Sequence, residues 1–355
     1  MILTYKYRIK DRRARKLLTA HAFAVNQVWN WCVAQQRDIQ DRYLAGAPKR
    51  QWASHFDLAM ACNGIGAEIG IHQQTVQKIC RKFAQSRGQH GCPRFRASFG
   101  QKRTLGWVPF SSQGRKINGN TITYLGKRYR FWEGRRPLPG IVKDGAFVED
   151  ARGHWHVIFH VEIAKQSQAP SGAVGIDLGL KSLASTSAGE IIENPRHLNQ
   201  WAERLAIAHR AGNKRRAVAI HARIASARKD FHHKLSTRLA REYAFIAVGN
   251  VNAKNLAQTR MAKSVLDAGW SSFRNMLRYK AATFVEVDEK FTTQTCSSCG
   301  ELPPERPKGI AGLGIRAWDC SLCGTSHDRD MNAAKNILAL ALSVERPVEE
   351  SRRAA

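Results

Sequence analysis

Apolar and polar residues alternate along positions 2–9, with Leu3, Tyr5, Tyr7 and Ile9 on one face, and this period of two predicts a strand. The next segment, RRARKLLTAHAFAVNQVWNWCVAQQRDIQDRYL, changes period. Leu18, Ala22, Val25, Val28, Trp29 and Cys32 recur three and four apart, which predicts one or two helices. TVQKICRKFAQS predicts another, its stripe of Val76, Ile79, Cys80 and Phe83 leaving Lys78, Arg81 and Lys82 on a basic face. From about residue 93 short β-rich runs follow, separated by Gly, Pro and Asn: PRFRASFGQKRTLGWVPF, KINGNTITYL, KRYRFW and GHWHVIFHVEI. Trp155, Val157, Phe159 and Val161 alternate cleanly, and the series predicts a small barrel or sandwich.

SQAPSG (167–172) reads as a linker, and AVGIDLGLKSLASTS as strand, tight turn, strand. Residues 197–243 predict helix broken near Gly212-Asn213, with Phe231, Leu235, Leu239 and Tyr243 as a four-spaced stripe. Phe245–Val248 is a short apolar run that predicts a buried strand; SVLDAGWSSFRNMLRYKA predicts a helix, TFVEV a strand and DRDMNAAKNILALAL a last helix. The end, ERPVEESRRAA, is polar and reads as a loose tail, and no internal repeat stands out.

A length of 355 residues suggests two or three domains, and 43% hydrophobic residues is enough for ordinary cores. Charge narrows the function: 57 Lys and Arg face 28 Asp and Glu, a net of +29. That excess disfavours an enzyme of neutral substrates and implies a polyanionic partner, nucleic acid or an anionic membrane surface. No apolar run approaches the roughly 18 residues of a spanning helix, and MILTYKYRIK lacks the apolar core of a signal peptide. Nucleic acid in a reducing, cytoplasmic compartment is the favoured reading. In the β-rich stretch Arg94, Arg96, Lys102, Arg103, Lys127, Arg128, Arg130, Arg135 and Arg136 interleave with Phe95, Trp107, Tyr129, Phe131 and Trp132. The mixture suits phosphates and stacked bases; equally, the aromatics are a barrel core and the charges its solvated face.

Cys32, Cys62, Cys80 and Cys92 are scattered and read as single thiols. Cys296, Cys299, Cys320 and Cys323 stand as C-x2-C, twenty residues, C-x2-C, the spacing of a four-thiolate structural zinc ribbon. With all four positions closed such a zinc folds the chain and does no chemistry. Arg306, Lys308 and Arg316 in the intervening loop are candidates for a phosphate backbone.

Asp177 ends a strand beside a glycine turn, and Asp328 and Asp330 stand at the start of the last helix. Either segment has a plain structural reading, as turn residue or as helix cap. Together they suggest a divalent-metal site, for which two acids are too few. The strand end where a third is expected reads Gly249-Asn250.

GIDLGLKSLA, RKDFHHKLSTRLAREY, NMLRYKA, VEVDEKFTTQTCSSCG and CSLCGTSHDRDMNAAKNIL together resemble the transposon-encoded TnpB proteins, compact RNA-guided relatives of the type V CRISPR nucleases. The resemblance is specific over 172–342 and weaker over 1–171. It implies a mixed α/β chain: a β-barrel wedge domain (1–10 and 93–168) carrying a helical recognition insert (11–92), then an RNase H-like RuvC domain (172–292 and 326–345) interrupted by the zinc ribbon (293–325), and the tail 346–355. It implies a guide RNA from the transposon end, a double-stranded DNA target with a flanking motif, and catalytic Mg2+. By position Asp177 matches the first RuvC acid and Asp330 the last, with Asp328 the alternative. The second acid is absent at Gly249. Glu289 stands instead where the family commonly has Pro, an arrangement that one branch of the family resembles; Asp288 and Glu286 are rivals, Glu286 being expected on the opposite, solvated face. The basic residues Lys78, Arg81, Lys82, Arg94, Arg96, Arg228 and Lys229 are assigned to guide and duplex backbone. The leading reading is an RNA-guided, Mg2+-dependent DNA endonuclease in a nucleoid-associated cytoplasmic setting. The alternative is a cutting-deficient, repressor-like guided DNA binder, and a transposase joining DNA ends ranks third.

Overall fold

The computed structural model describes residues 2–46, 49, 51–113, 115–134, 137–163, 170–308 and 311–345. Arg135, Arg136, the first half of the expected linker and the expected tail 346–355 lie outside the described residues. The chain divides into two units, 1–165 and 166–355.

The first unit runs β1 (Ile2–Arg8), α1 (Arg12–Leu44), α2 (His55–Ala61), α3 (Ile65–Glu68), α4 (Gln73–His90), β2 (Trp107–Phe110), β3 (Arg115–Asn118), β4 (Thr121–Tyr124), β5 (Lys127–Arg130), β6 (Ile141–Glu149) and β7 (Trp155–Glu162). The three-and-four pattern after β1 forms one 33-residue helix. Val76, Ile79, Cys80 and Phe83 of α4 are fully buried, as their stripe predicts. Three of the scattered cysteines are not isolated: the Cys80 thiol is in hydrogen-bond contact with those of Cys32 and Cys62, and the Cys32 contact together with burial pushes the Cys80 thiol up to about 12 against the opposing Cys62 contact.

The β-rich stretch forms two antiparallel sheets, β1-β7-β6-β2 and β3-β4-β5. A single bridge, Ile9 to Phe131, connects them. Among the described residues β2 and β3 do not pair, so the expected barrel is not closed. Pro109 in β2 has no N–H to give a further neighbour and suits an edge. The carbonyl of Pro109 accepts instead from Thr75 Oγ1 at the start of α4 (2.7 Å). Tyr129 and Phe131 are core residues, whereas Phe95 and Trp132 are exposed. These two rings are covered by cations, Arg37 at 4.4 Å and Lys10 at 4.3 Å.

The second unit runs β8 (Ala173–Leu178), β9 (Ser182–Thr186), β10 (Ile191–Glu193), α5 (His197–Arg210), α6 (Lys214–Glu242), β11 (Phe245–Gly249), α7 (Ala253–Leu256), α8 (Ala262–Ala268), α9 (Trp270–Lys280), β12 (Thr283–Val287), β13 (Ala317–Asp319), β14 (Ser326–Asp328) and α10 (Arg329–Glu345). The helix expected over 264–281 is two, because Gly269 takes φ 64° and a side chain there would meet Arg228 and His232 at 3.0 Å. Five strands form one mixed sheet, β10-β9-β8-β11-β12, in which β11 is parallel to both β8 and β12.

Strand side chains alternate between faces. Val174, Ile176, Ile246 and Val248 pack with Leu235 and Leu239 of α6 and Phe273 and Leu277 of α9. The intervening Ala247 and Val287 pack with Ile337 and Ala341 of α10. Gly175 lets α10 lie directly on β8, since a Cβ there would strike Ala334 O.

Candidate functional site

Strand periodicity puts Asp177 and Gly249 on the α10 face. Ile176 is level with Val248, and Gly249 with Val287, so Asp177, Gly249 and Val287 lie side by side at or next to the ends of three neighbouring strands. Two residues past Val287 the chain turns back. An ideal Cβ on Gly249 would lie 3.1 Å from Glu289 Oε2 and 3.4 Å from Glu289 Cβ. The Glu289 carboxylate therefore occupies the space into which a side chain of residue 249 would project. Asn250 supports the turn: its N–H donates to Val287 O (2.9 Å), and its Oδ1 accepts from Glu289 N (3.4 Å).

Burial pushes the Asp177 carboxyl up to about 8, and the charges of Asp330 and Glu289 add to the shift, against the opposing Arg329. Burial also raises Glu289, opposed by Arg274 and reinforced by Asp288. Asp330 is in the first turn of α10, where both its oxygens accept from Arg316 (3.0 and 3.1 Å). Asp328 serves as the helix cap, its Oδ1 accepting from the N–H groups of Asp330 (3.0 Å) and Met331 (2.9 Å). Asp288 accepts from Lys290 N in its own turn. Glu286 points away from α10 and pairs with Arg278 at 2.9 Å. Asp177, Glu289 and Asp330 thus share one face as a set of hard oxygen donors, chemically suited to a divalent cation.

The cysteine cluster is tighter. Among the described residues, the four thiols alone form a set of three or more His, Cys, Asp or Glu donors all within 4.8 Å of one another. The three carboxylates are spaced more widely. Sulfur separations of 3.6 Å (Cys296–Cys323) and 3.8 Å (Cys299–Cys320) match the roughly 3.8 Å edge of a tetrahedron with Zn–S bonds of about 2.3 Å. The donors fit zinc. The Thr325 hydroxyl and backbone lower the Cys323 thiol to about 6, favouring the thiolate. His327 Nε2 is 3.0 Å from Cys296 Sγ, and its ring packs on Trp318 at 4.9 Å. Among the described residues the apolar core of this region is Cys296, Trp318 and Cys320.

The basic residues singled out in the sequence fall into two groups. Arg81, Lys82, Arg94 and Lys229 are exposed. Lys78 is paired with Asp144, Arg228 donates to Leu266 O, and Arg96 packs over Trp29 (3.8 Å) and Trp107 (5.1 Å). Burial brings the Arg96 guanidinium down to about 10. In the ribbon, Arg306 is tied to Gln294 and Pro303 and Arg316 to Asp330. Asn250 and His327 carried no sequence signal beyond their neighbourhood to Gly249 and the knuckles.

Residues 156–260 match the family model OrfB_IS605, described as "Probable transposase", and residues 270–337 match the Cas12f1-like TNB domain. A Streptomyces pristinaespiralis protein bearing the provisional name RNA-guided DNA endonuclease is 37% identical over 245 residues, 61% of this chain and 60% of that one. InsQ of Escherichia coli K12, named in the same provisional way, is 26% identical over 271 residues, 65% of each chain. TnpB-like protein L79 of Acanthamoeba polyphaga mimivirus is 37% identical over 134 residues, 34% of this chain and 24% of that one. The matches to the first two relatives span less than two thirds of those proteins' lengths.

Proposed function

The chain belongs to the TnpB-like family, and from that premise we propose that it is an RNA-guided DNA endonuclease whose cutting centre is Asp177, Glu289 and Asp330. The observation that carries the reading is the position of the Glu289 carboxylate in the side-chain space of Gly249. A ligand is defined by where its oxygens sit, so an acid two residues past β12 serves where the end of β11 has none. Magnesium bound by the three acids would activate a water and stabilise the leaving oxygen of a phosphodiester.

The residues themselves prepare that centre. Burial, reinforced by the charges of Asp330 and Glu289, pushes the Asp177 carboxyl up to about 8. With a divalent cation held by the three acids, Asp177 would bind it as the carboxylate and give up that proton. Asn250 and Val287 hold the turn that aims Glu289. The helix dipole at the start of α10 favours the Asp330 anion, and Arg316 orients it.

We assign 172–292 with 326–345 to a RuvC nuclease domain, 293–325 to a zinc ribbon, 11–92 to a helical recognition domain, and 1–10 with 93–168 to a wedge domain. The net charge of +29 supports a polyanionic ligand. Guide RNA from the transposon end and double-stranded DNA with a flanking motif are the partners of this reading. No described helix is long and apolar enough to cross a membrane, and we assign a cytoplasmic, nucleoid-associated location. Arg81, Lys82, Arg94 and Lys229 are the exposed cations proposed for phosphate contact; Lys78, Arg96 and Arg228 have protein partners that compete with that role.

The test is cleavage of guide-matched DNA by the copurified RNA–protein complex with Mg2+. Wild type cuts, and Glu289→Gln binds RNA and DNA with unchanged affinity but does not cut. Gly249 favours one second reading, a guided DNA binder without nuclease activity; absence of cutting by wild type across a library of flanking sequences would select it.

A further inference from the structure

We propose that Asn332 and Asn336 are positioning residues that lock the cysteine knuckle and the acid centre into one mechanical unit, so that disturbance of either metal site is felt at the other. The inference rests on the endonuclease reading of the acids. Both asparagines are buried, 1% and 8% exposed, and stand one turn apart on α10. Asn332 Nδ2 donates to Thr292 O (3.3 Å) and Thr295 O (2.7 Å). Asn336 Nδ2 donates to the same two carbonyls, both at 2.7 Å. Each amide nitrogen has two hydrogens and each carbonyl oxygen two lone pairs. The four donated hydrogens therefore match the four lone pairs of the two carbonyls.

Its grip reaches both metal sites. Asn332 Oδ1 accepts from Ser297 N (2.8 Å), so the clasp holds the residues on either side of Cys296, the first thiol of the knuckle. Upstream, the N–H and hydroxyl of Thr292 donate to Glu289 O at 3.1 and 2.8 Å. Phe291, between them, has φ 66°, a left-handed conformation that a non-glycine residue keeps only when its surroundings impose it. On the helix side, Asn332 follows Asp330 by two residues. Glu289 and Asp330 lie at the entry and exit of the ribbon, far apart along the chain. The clasp joins the turn carrying one to the helix carrying the other. An apolar contact at these positions would bury as much surface without fixing the distance between Glu289, Cys296 and Asp330.

The experiment uses the full chain with Asn336→Asp, which keeps side-chain shape and turns two donated hydrogens into lone pairs facing carbonyl lone pairs. Three quantities are read: the rate of zinc transfer to a chromophoric chelator, the Mn2+ dissociation constant, and single-turnover cleavage against Mg2+ concentration. The expected result is about tenfold faster zinc release and about tenfold weaker Mn2+ binding, the size found for outer-shell partners of metal ligands. Maximal cleavage falls without change in DNA affinity, and it recovers in part at raised Mg2+. A lower melting temperature with zinc release and Mn2+ affinity both unchanged would mean a merely structural role and overturn the proposal. So would faster zinc release with unaltered Mn2+ affinity. If Asn336→Asp fails to fold, Asn336→Ser, which keeps one donor, is measured in the same way. A wild-type protein that neither binds Mn2+ nor cuts refutes the endonuclease reading instead; the zinc-release comparison then still reports whether the clasp grips the knuckle.

Discussion

Replacement of Gly249 by alanine is the sharpest perturbation, because one methyl group tests whether Glu289 and position 249 share a space. The added Cβ would meet Glu289 Oε2 at 3.1 Å, Ile337 Cδ1 at 3.2 Å and Glu289 Cβ at 3.4 Å. Gly249 is not among the left-handed glycines, so the backbone accepts alanine without strain. Ile337 is fully buried and cannot retreat, which leaves the carboxylate as the group that moves, by a few tenths of an ångström. Overpacking by a methylene costs about 1–3 kcal/mol in a closed core; with a side-chain end free to yield, about 1 kcal/mol is expected. Catalysis is more sensitive, since misplacement by about 1 Å is worth about 100-fold. Gly249→Ala should therefore cut about tenfold more slowly, with the melting temperature nearly unchanged and guide RNA and DNA affinity intact. Single-turnover cleavage and mobility-shift titration measure the two sides. The double variant Gly249→Glu, Glu289→Ala, which returns the carboxylate to the end of β11, should regain part of the rate lost in Glu289→Ala. Wild-type cutting by Gly249→Ala together with an inactive double variant would refute the shared-space argument.

Three further outcomes follow from the same geometry. In magnesium-free buffer the Asp177 carboxyl holds its proton to about pH 8, well above its ordinary value, so the folded state binds more protons than the unfolded from about pH 4 to 8. Stability should fall as pH rises through that window, by up to about 1.4 kcal/mol per pH unit, and Asp177→Asn should flatten the slope in pH-dependent thermal melts; parallel melts would rule the crowding out. Burial lowers His232, 1% exposed, to about 4. Its neutral form contributes stability above about pH 6.5 that is lost toward pH 4, at most about 3 kcal/mol, and His232→Leu should remove that acid-side loss in denaturant titrations. Stripping zinc, or Cys320→Ser, removes on the order of 10 kcal/mol of metal binding from a ribbon whose core is Cys296, Trp318 and Cys320. Hydrogen exchange should rise sharply over 293–328 and Trp318 should become solvent-exposed, and an unaltered exchange pattern would refute the assignment of zinc as the ribbon's support.

Local patterns carried much of the architecture. The stripe Val76, Ile79, Cys80 and Phe83 marked a buried helix face, and Trp155 to Val161 a strand with one buried side, because period alone decides which side chains share a face. The knuckle spacing announced four convergent thiols for the same reason: two residues between cysteines is a local constraint. Other features were decided by distant partners. Closure of the β-rich stretch depended on whether β2 meets β3, and Pro109 makes β2 an edge. The split of the 264–281 helix came from Arg228 and His232 packed against Gly269. The partners of Lys78 and Arg228, Asp144 and the Leu266 carbonyl, likewise lie far along the chain and carry no local signal.

By itself the sequence determined the inventory: a basic chain for a polyanion, four thiols at zinc spacing, and acids at Asp177, Glu289 and Asp330 with a glycine where another was expected. Only the tertiary structure decided that Asp328 caps α10, that Glu286 pairs with Arg278 of α9, and that the Glu289 carboxylate fills the space beside Gly249. The reason is physical. Periodicity and spacing act over a few residues, whereas the direction of a carboxylate after a turn is set by what α10 and β11 already occupy, and those surfaces exist only once the chain has folded.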